Sequence, residues 1–162
     1  DYGDGYSVIP RPVFGQGLVY VCTGWSPPSL LAIRPTGQGN VTRTHVAWKS
    51  TVNVPNTPSL LLIDDALYFF SDGGIASCID AANGQARWRK RIGGNFSASP
   101  TYADGKIYFQ SEEGDGTVIE PGKQFKLLAK NSLGERTFAS YAVAEGTLFI
   151  RSETHLYRIA AR

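Results

Sequence analysis

Short apolar runs broken by polar turns fill the chain, and the pattern recurs. Each copy places a small residue or proline before a short apolar run. A tight polar turn follows, then an aromatic-rich run. The copies are Pro12-Val13-Phe14 with Gly17-Leu18-Val19-Tyr20, and Pro58-Ser59-Leu60 with Ala66-Leu67-Tyr68. They continue with Pro100-Thr101-Tyr102 and Gly105-Lys106-Ile107-Tyr108, then Ser140-Tyr141-Ala142 and Gly146-Thr147-Leu148-Phe149. The anchors Tyr20, Tyr68, Tyr108 and Phe149 are spaced by 48, 40 and 41 residues. Trp48, Trp88 and Leu128 form a second series, spaced by 40 and 40. An insertion around Trp25-Ser26-Pro27-Pro28 is expected to account for the long first interval. Periodicity of this length marks a repeat architecture.

Each copy reads as four short strands. In the second, strands are predicted over about 57–63, 66–71, 75–80 and 85–91. Asp64-Asp65, Asp72-Gly73-Gly74 and Asn83-Gly84 mark the turns, and Asn-Gly and Asp-Gly steps predict type I′ hairpins. Leu67, Phe69, Ile79 and Ala81 alternate with other residues, as half-buried strands do. No segment sustains a helical period; 123–133 is read as the fourth strand of the third copy. The fold class is therefore all-β, a β-propeller region of about four blades of four antiparallel strands, the last blade one strand short. The blades are expected over 10–49, 50–92, 93–133 and 134–162, giving 15 strands, with 1–9 as a closing strand or the end of an earlier blade. Three ways to close the ring are expected: that strand, a homodimer, or missing N-terminal blades.

The run Cys78-Ile79-Asp80-Ala81-Ala82-Asn83-Gly84-Gln85-Ala86-Arg87-Trp88 resembles the pyrroloquinoline-quinone-type (PQQ-like) propeller repeat. Ser97-Ala98-Ser99-Pro100 with Ala103-Asp104-Gly105-Lys106-Ile107-Tyr108 resembles its inner strand and first turn. The resemblance spans about 10–160. Complete members usually carry seven or eight blades, so it implies the C-terminal half of such a ring, among uncharacterised secreted bacterial members. It also implies a periplasmic or extracellular location. Quinoprotein members would bind PQQ with calcium and use a catalytic Asp and a Trp stacked on the cofactor. The repeat does not imply that chemistry, since fold and function separate freely.

Composition narrows the functional classes. The 162 residues carry 16 Lys+Arg against 14 Asp+Glu, a formal charge of +2, which gives no case for nucleic acid. No apolar run is long enough to span a membrane as a helix. Cys22 and Cys78 read as two small buried side chains rather than a disulfide, and with His45 and His155 they leave little material for a structural zinc site, which usually takes four protein ligands. The acidic run Glu112-Glu113-Gly114-Asp115-Gly116 lacks calcium-loop spacing and reads as a hairpin turn. Arg87-Trp88-Arg89-Lys90-Arg91 reads as a solvated blade rim, with Trp48 and Trp88 as plugs between blades. Catalytic, cofactor-binding and metal-binding residues are expected to be none. The expected role is a non-catalytic scaffold for a protein, small-molecule or glycan ligand, contacted through Trp25, Asn53, Asn56, Asn95 and Arg136. The alternative is part of a PQQ- and calcium-dependent oxidoreductase.

Overall fold

A computed structural model describes residues 6–25 and 27–160, and none of them lies in an α-helix. Among the described residues fifteen strands form four antiparallel sheets, as the repeat predicts. The first sheet holds β1 (Val13–Gly15), β2 (Leu18–Cys22), β3 (Leu30–Ile33) and β4 (Val46–Ser50). The second holds β5 (Leu61–Ile63), β6 (Ala66–Phe70), β7 (Ile75–Asp80) and β8 (Ala86–Arg91). The third holds β9 (Thr101–Ala103), β10 (Lys106–Gln110), β11 (Asp115–Glu120) and β12 (Lys126–Ser132). The last holds β13 (Ala142–Ala144), β14 (Thr147–Arg151) and β15 (Leu156–Ala160). Of the expected closing segment, residues 1–5 lie outside the described residues, and Tyr6 forms an isolated bridge with Trp25.

Turn chemistry sets the blade geometry. At Gln16-Gly17, Asp104-Gly105 and Glu145-Gly146 both turn residues have positive φ, the type I′ requirement between twisted strands. Asp72-Gly73, where neither residue has positive φ, departs from that expectation, and so does Asn83-Gly84. Only Gly84 is left-handed there, at φ 74°, and its N–H donates to Asp80 O at 2.9 Å, closing a wider loop. The long first interval is also placed differently from the expectation. Twelve residues (34–45) join Ile33 to Val46, where six (80–85) join Ile79 to Ala86. Seven residues (23–29) join Cys22 to Leu30, where five (71–75) join Phe70 to Ala76. Most of the insertion therefore lies in the β3–β4 connection, and only two residues fall near Trp25.

Blades are held together by apolar contact. β6 is buried on both faces rather than one, because it belongs to a central blade. Leu67 and Phe69 join Leu18, Tyr20 and Leu30 of the first blade, while Ala66, Tyr68 and Phe70 join Ile107, Phe109 and Ile119 of the third. Trp48 and Trp88 plug these two interfaces. Trp48 Nε1 donates to Ala81 O at 3.1 Å and Trp88 Nε1 to Gly122 O at 3.0 Å, so each indole ties its blade to the next. Tyr20 and Tyr68 sit beside these rings, with centroids 5.9 and 6.0 Å apart. A serine ladder adds to this near the innermost strands. Arg11 N donates to Ser59 Oγ, Ser59 N to Ser99 Oγ and Ser99 N to Ser140 Oγ, at 3.0, 3.0 and 2.8 Å.

The third interface is built differently. The 40-residue period puts Leu128 in the Trp series, but the strand register does not. Trp48 pairs with Ala32, Trp88 with Cys78, and the matching partner of Val118 is Ala129. The β11–β12 connection is one residue longer than the β7–β8 connection, seven residues (120–126) against six, so the period lands one position early. Leu128 is the exposed bulge residue, equivalent to Arg87, and Ala129 faces inward with no indole to offer.

Candidate functional site

One end of the blades carries the connections between blades and the turns between the second and third strands of each blade. This end gathers the residues singled out in the sequence. The linker from β8 to β9 is stitched to two successive blades. Ile92 N and Phe96 N donate to Gly74 O and Asp72 O, both at 2.9 Å, and Asn95 O accepts from Glu112 N at 2.7 Å. The next linker repeats the arrangement: Leu133 N donates to Gly114 O, Thr137 N to Glu112 O, and Arg136 O accepts from Glu153 N. Gly114 is required by this packing. Its φ is 92°, and a Cβ there would meet Glu135 O at 2.0 Å.

Side chains clamp the same seam at a period of about forty residues. Asn56 N donates to Asp72 Oδ2 at 2.7 Å, and Asn95 Nδ2 donates to Glu113 Oε1 at 2.8 Å. In the third clamp the carboxylate changes sides: Glu135, on the linker, accepts from Ser152 Oγ, Thr154 Oγ1 and Tyr157 Oη at 2.6–2.8 Å. Hydrogen bonds from Asn95 and Ser111 hold the Glu113 carboxyl down at about 2, and those from Thr154, Ser152 and Tyr157 hold Glu135 at about 2. Sequence reasoning missed Asp72, Glu113 and Glu135 as clamp members. The available signal was a recurrence near the repeat period, of Asp72 with Glu113 and of Asn56 and Asn95 with Glu135, masked by their ordinary look as turn residues.

The candidate contacts fall on this end with different surroundings. Trp25 lies in the β2–β3 connection, 46% exposed, its backbone paired with Tyr6. Asn53, in the β4–β5 linker, is left-handed at φ 56°. Asn56 is bound to Asp72, and its Oδ1 is buried without a partner. Asn95 is exposed and bound to Glu113. Arg136 is exposed and lies over Phe138, its guanidinium carbon 5.3 Å from the ring centroid, with Phe138 itself 58% exposed. Arg136, Phe138, Arg151 and Glu153 line a shallow cleft of about 330 Å³.

His155 Nδ1 lies 2.7 Å from Thr154 Oγ1 and 2.8 Å from Glu135 Oε1. A nucleophile–base–orienter relay needs the hydroxyl and the carboxylate on opposite ring nitrogens, and here both meet the same one. The acidic turn does not fit a resident calcium either. Glu112 accepts from Ser97 Oγ and Glu113 from Asn95, so their oxygens turn to the linker instead of converging on a cation that needs six to eight ligands. Cys22 and Cys78 are free and buried, and burial pushes the Cys22 thiol up to about 12. Arg87 departs from the expected solvated rim: it bridges Asp65 and Asp80 at 2.7 and 2.8 Å, tying two turns of its own blade.

Comparison with solved structures places this architecture among known propellers. BamB from Moraxella catarrhalis is 13% identical and superposes with a TM-score of 0.69, over 93% of this chain and 42% of that one. The quinohemoprotein alcohol dehydrogenase ADHIIG from Pseudomonas putida HK5 is 13% identical, with a TM-score of 0.64 over 87% of this chain and 28% of that one. The quinohemoprotein alcohol dehydrogenase from Comamonas testosteroni is 18% identical, with a TM-score of 0.61 over 79% of this chain and 21% of that one. The chain thus spans less than half the length of each, and these likenesses show the fold. No curated protein matches it in sequence. Residues 43–152 match the family described as outer membrane protein assembly factor BamB, and the chain belongs to that family of PQQ-like-repeat propellers.

Proposed function

We propose that the chain is a non-catalytic binding scaffold that engages a protein partner through its linker-and-turn end, in the periplasm or outside the cell. The carrying observation is the combination at that end of a fixed backbone with exposed aromatic side chains. The linkers are bound to successive blades along their length, yet Trp25 and the Arg136–Phe138 pair stay in solvent. Aromatic residues and Arg held on a rigid frame are the usual energetic centres of protein interfaces. The family's description as an assembly factor for outer membrane proteins supports the same class of role and the location. The PQQ-dependent alternative has only the fold likeness behind it, and the residues at the acidic turn do not suit its calcium there.

The test is position-dependent loss of a partner captured by the unmodified chain. F138A with R136E and, separately, W25A are expected to lower retention tenfold or more. R89E and K90E, on the exposed β8 rim, are expected to leave it unchanged. Equal loss from rim and end, or retention unaffected by the end variants, would overturn the proposal.

A further inference from the structure

We propose that the cleft between the third and fourth blades binds a small planar aromatic ring carrying one hydrogen-bond donor, of indole size. The described blades meet at three equivalent interfaces. Two are filled by an indole that lies beside a β-strand tyrosine and donates its N–H across the interface, as Trp48 and Trp88 do. The third keeps the tyrosine, Tyr108, and lacks the ring, because the register puts Ala129 in its place. Ala129 shares a cross-strand row with Tyr108 and Val118.

Clefts open beside Tyr108 and Val118, the neighbours of Ala129 in that row. One cleft of about 360 Å³ is lined by Tyr108, Gln110, Val118, Tyr141, Leu148 and Ile150. A second of about 510 Å³ shares Tyr108, Leu148 and Ile159 with it, so the two run along one interface. Tyr108 and Tyr141 meet edge to face with centroids 6.4 Å apart, giving the cleft an aromatic wall. Both clefts are mostly apolar, as small-molecule sites are.

One polar group on that wall has an unmet need. Gln110 occupies the position held by Cys22 in the first blade and Phe70 in the second. It is only 2% exposed, Nε2 donates to Gly114 O at 3.2 Å, and Oε1 has no partner. A buried acceptor without a donor is costly, and a ligand bringing one N–H removes that cost. An apolar wall, a ring-sized gap and one free acceptor together describe an indole-like ligand, met as a free molecule or as a tryptophan side chain of a partner.

Titration of the chain with indole, read by the Gln110 side-chain amide and by Tyr108, Leu148 and Ile159 resonances in NMR, tests this directly. Saturable 1:1 binding with shifts confined to those groups is expected. 1-Methylindole, which cannot donate, should bind at least fivefold more weakly. Ala129→Trp supplies the ring covalently and should abolish indole binding while raising the melting temperature. N-acetyltryptophanamide separates the two sources: binding admits a partner's tryptophan, and exclusion beside bound indole restricts the site to the free ring. Absence of saturation, shifts elsewhere, or unchanged binding in A129W would overturn the proposal. Should A129W not fold, equal affinity for indole and 1-methylindole would do so on the unmodified chain.

Discussion

Single residues decide where this fold tolerates change. Gly114 and Gly105 both have positive φ, at 92° and 68°, but a Cβ on Gly114 meets Glu135 O whereas one on Gly105 meets open space. Gly114→Ala should therefore cost about 2 kcal/mol or more and Gly105→Ala about 1 kcal/mol, measured by urea unfolding. The clamp carboxylates give the molecule an acid limit. Glu113 and Glu135 are held at about 2, well below the ordinary carboxylate range, so the unfolded chain binds protons that the folded one refuses. Their contribution is complete above the unfolded value and is lost as pH falls toward about 2. Stability should drop between about pH 4.5 and pH 2, with both groups near solvent limiting the size of the effect. E113Q and E135Q should each flatten that slope in acid denaturation followed by circular dichroism. A slope unchanged in both variants would show that the clamps do not titrate with folding.

At the level of elements, much of the structure was legible in the sequence. The strand count, the β7 boundaries and the plugging roles of Trp48 and Trp88 follow from turn signals and a repeat that survives in side-chain chemistry. What escaped did so for identifiable reasons. Length between anchors does not say which loop carries an insertion, so the residues of 34–45 were assigned to the neighbourhood of Trp25. A one-residue difference in a turn moved the third anchor from Ala129 to Leu128, since a period counts residues and a β-ladder counts pairs. β6 was read as half buried because alternation cannot show that both faces of a strand are covered. The clamps along the linkers were illegible because Asn, Glu, Ser and Thr occur in turns for purely local reasons. Trp88→Ala removes a ring that meets Tyr68, Phe125 and the Gly122 carbonyl. It should destabilise by about 3 kcal/mol in chemical unfolding. A loss below about 1 kcal/mol would mean that the indole is not the bond between the second and third blades.

Across the whole molecule, the interfaces between blades carry the stability, and the third is left incomplete. Blades stack so that each covers its neighbour's apolar face, which makes stability a sum of nearest-neighbour contacts. Two buried clusters span the first two interfaces, whereas clefts line the third. The linkers are stitched as firmly across the third interface as across the second, so the opening lies beneath a fixed end rather than in a loose tail. The proposed scaffold would present the fixed end above and the recess below. Native-state hydrogen exchange tests the claim most directly, through β2 and β14. Each is flanked by two strands of its own sheet, and each belongs to a blade at one end of the described arc. Amides of Leu148–Ile150 in β14 are expected to open at least tenfold more readily than those of Val19–Val21 in β2, because only β2 packs against a filled interface. Equal protection in the two strands, or greater protection in β14, would contradict it.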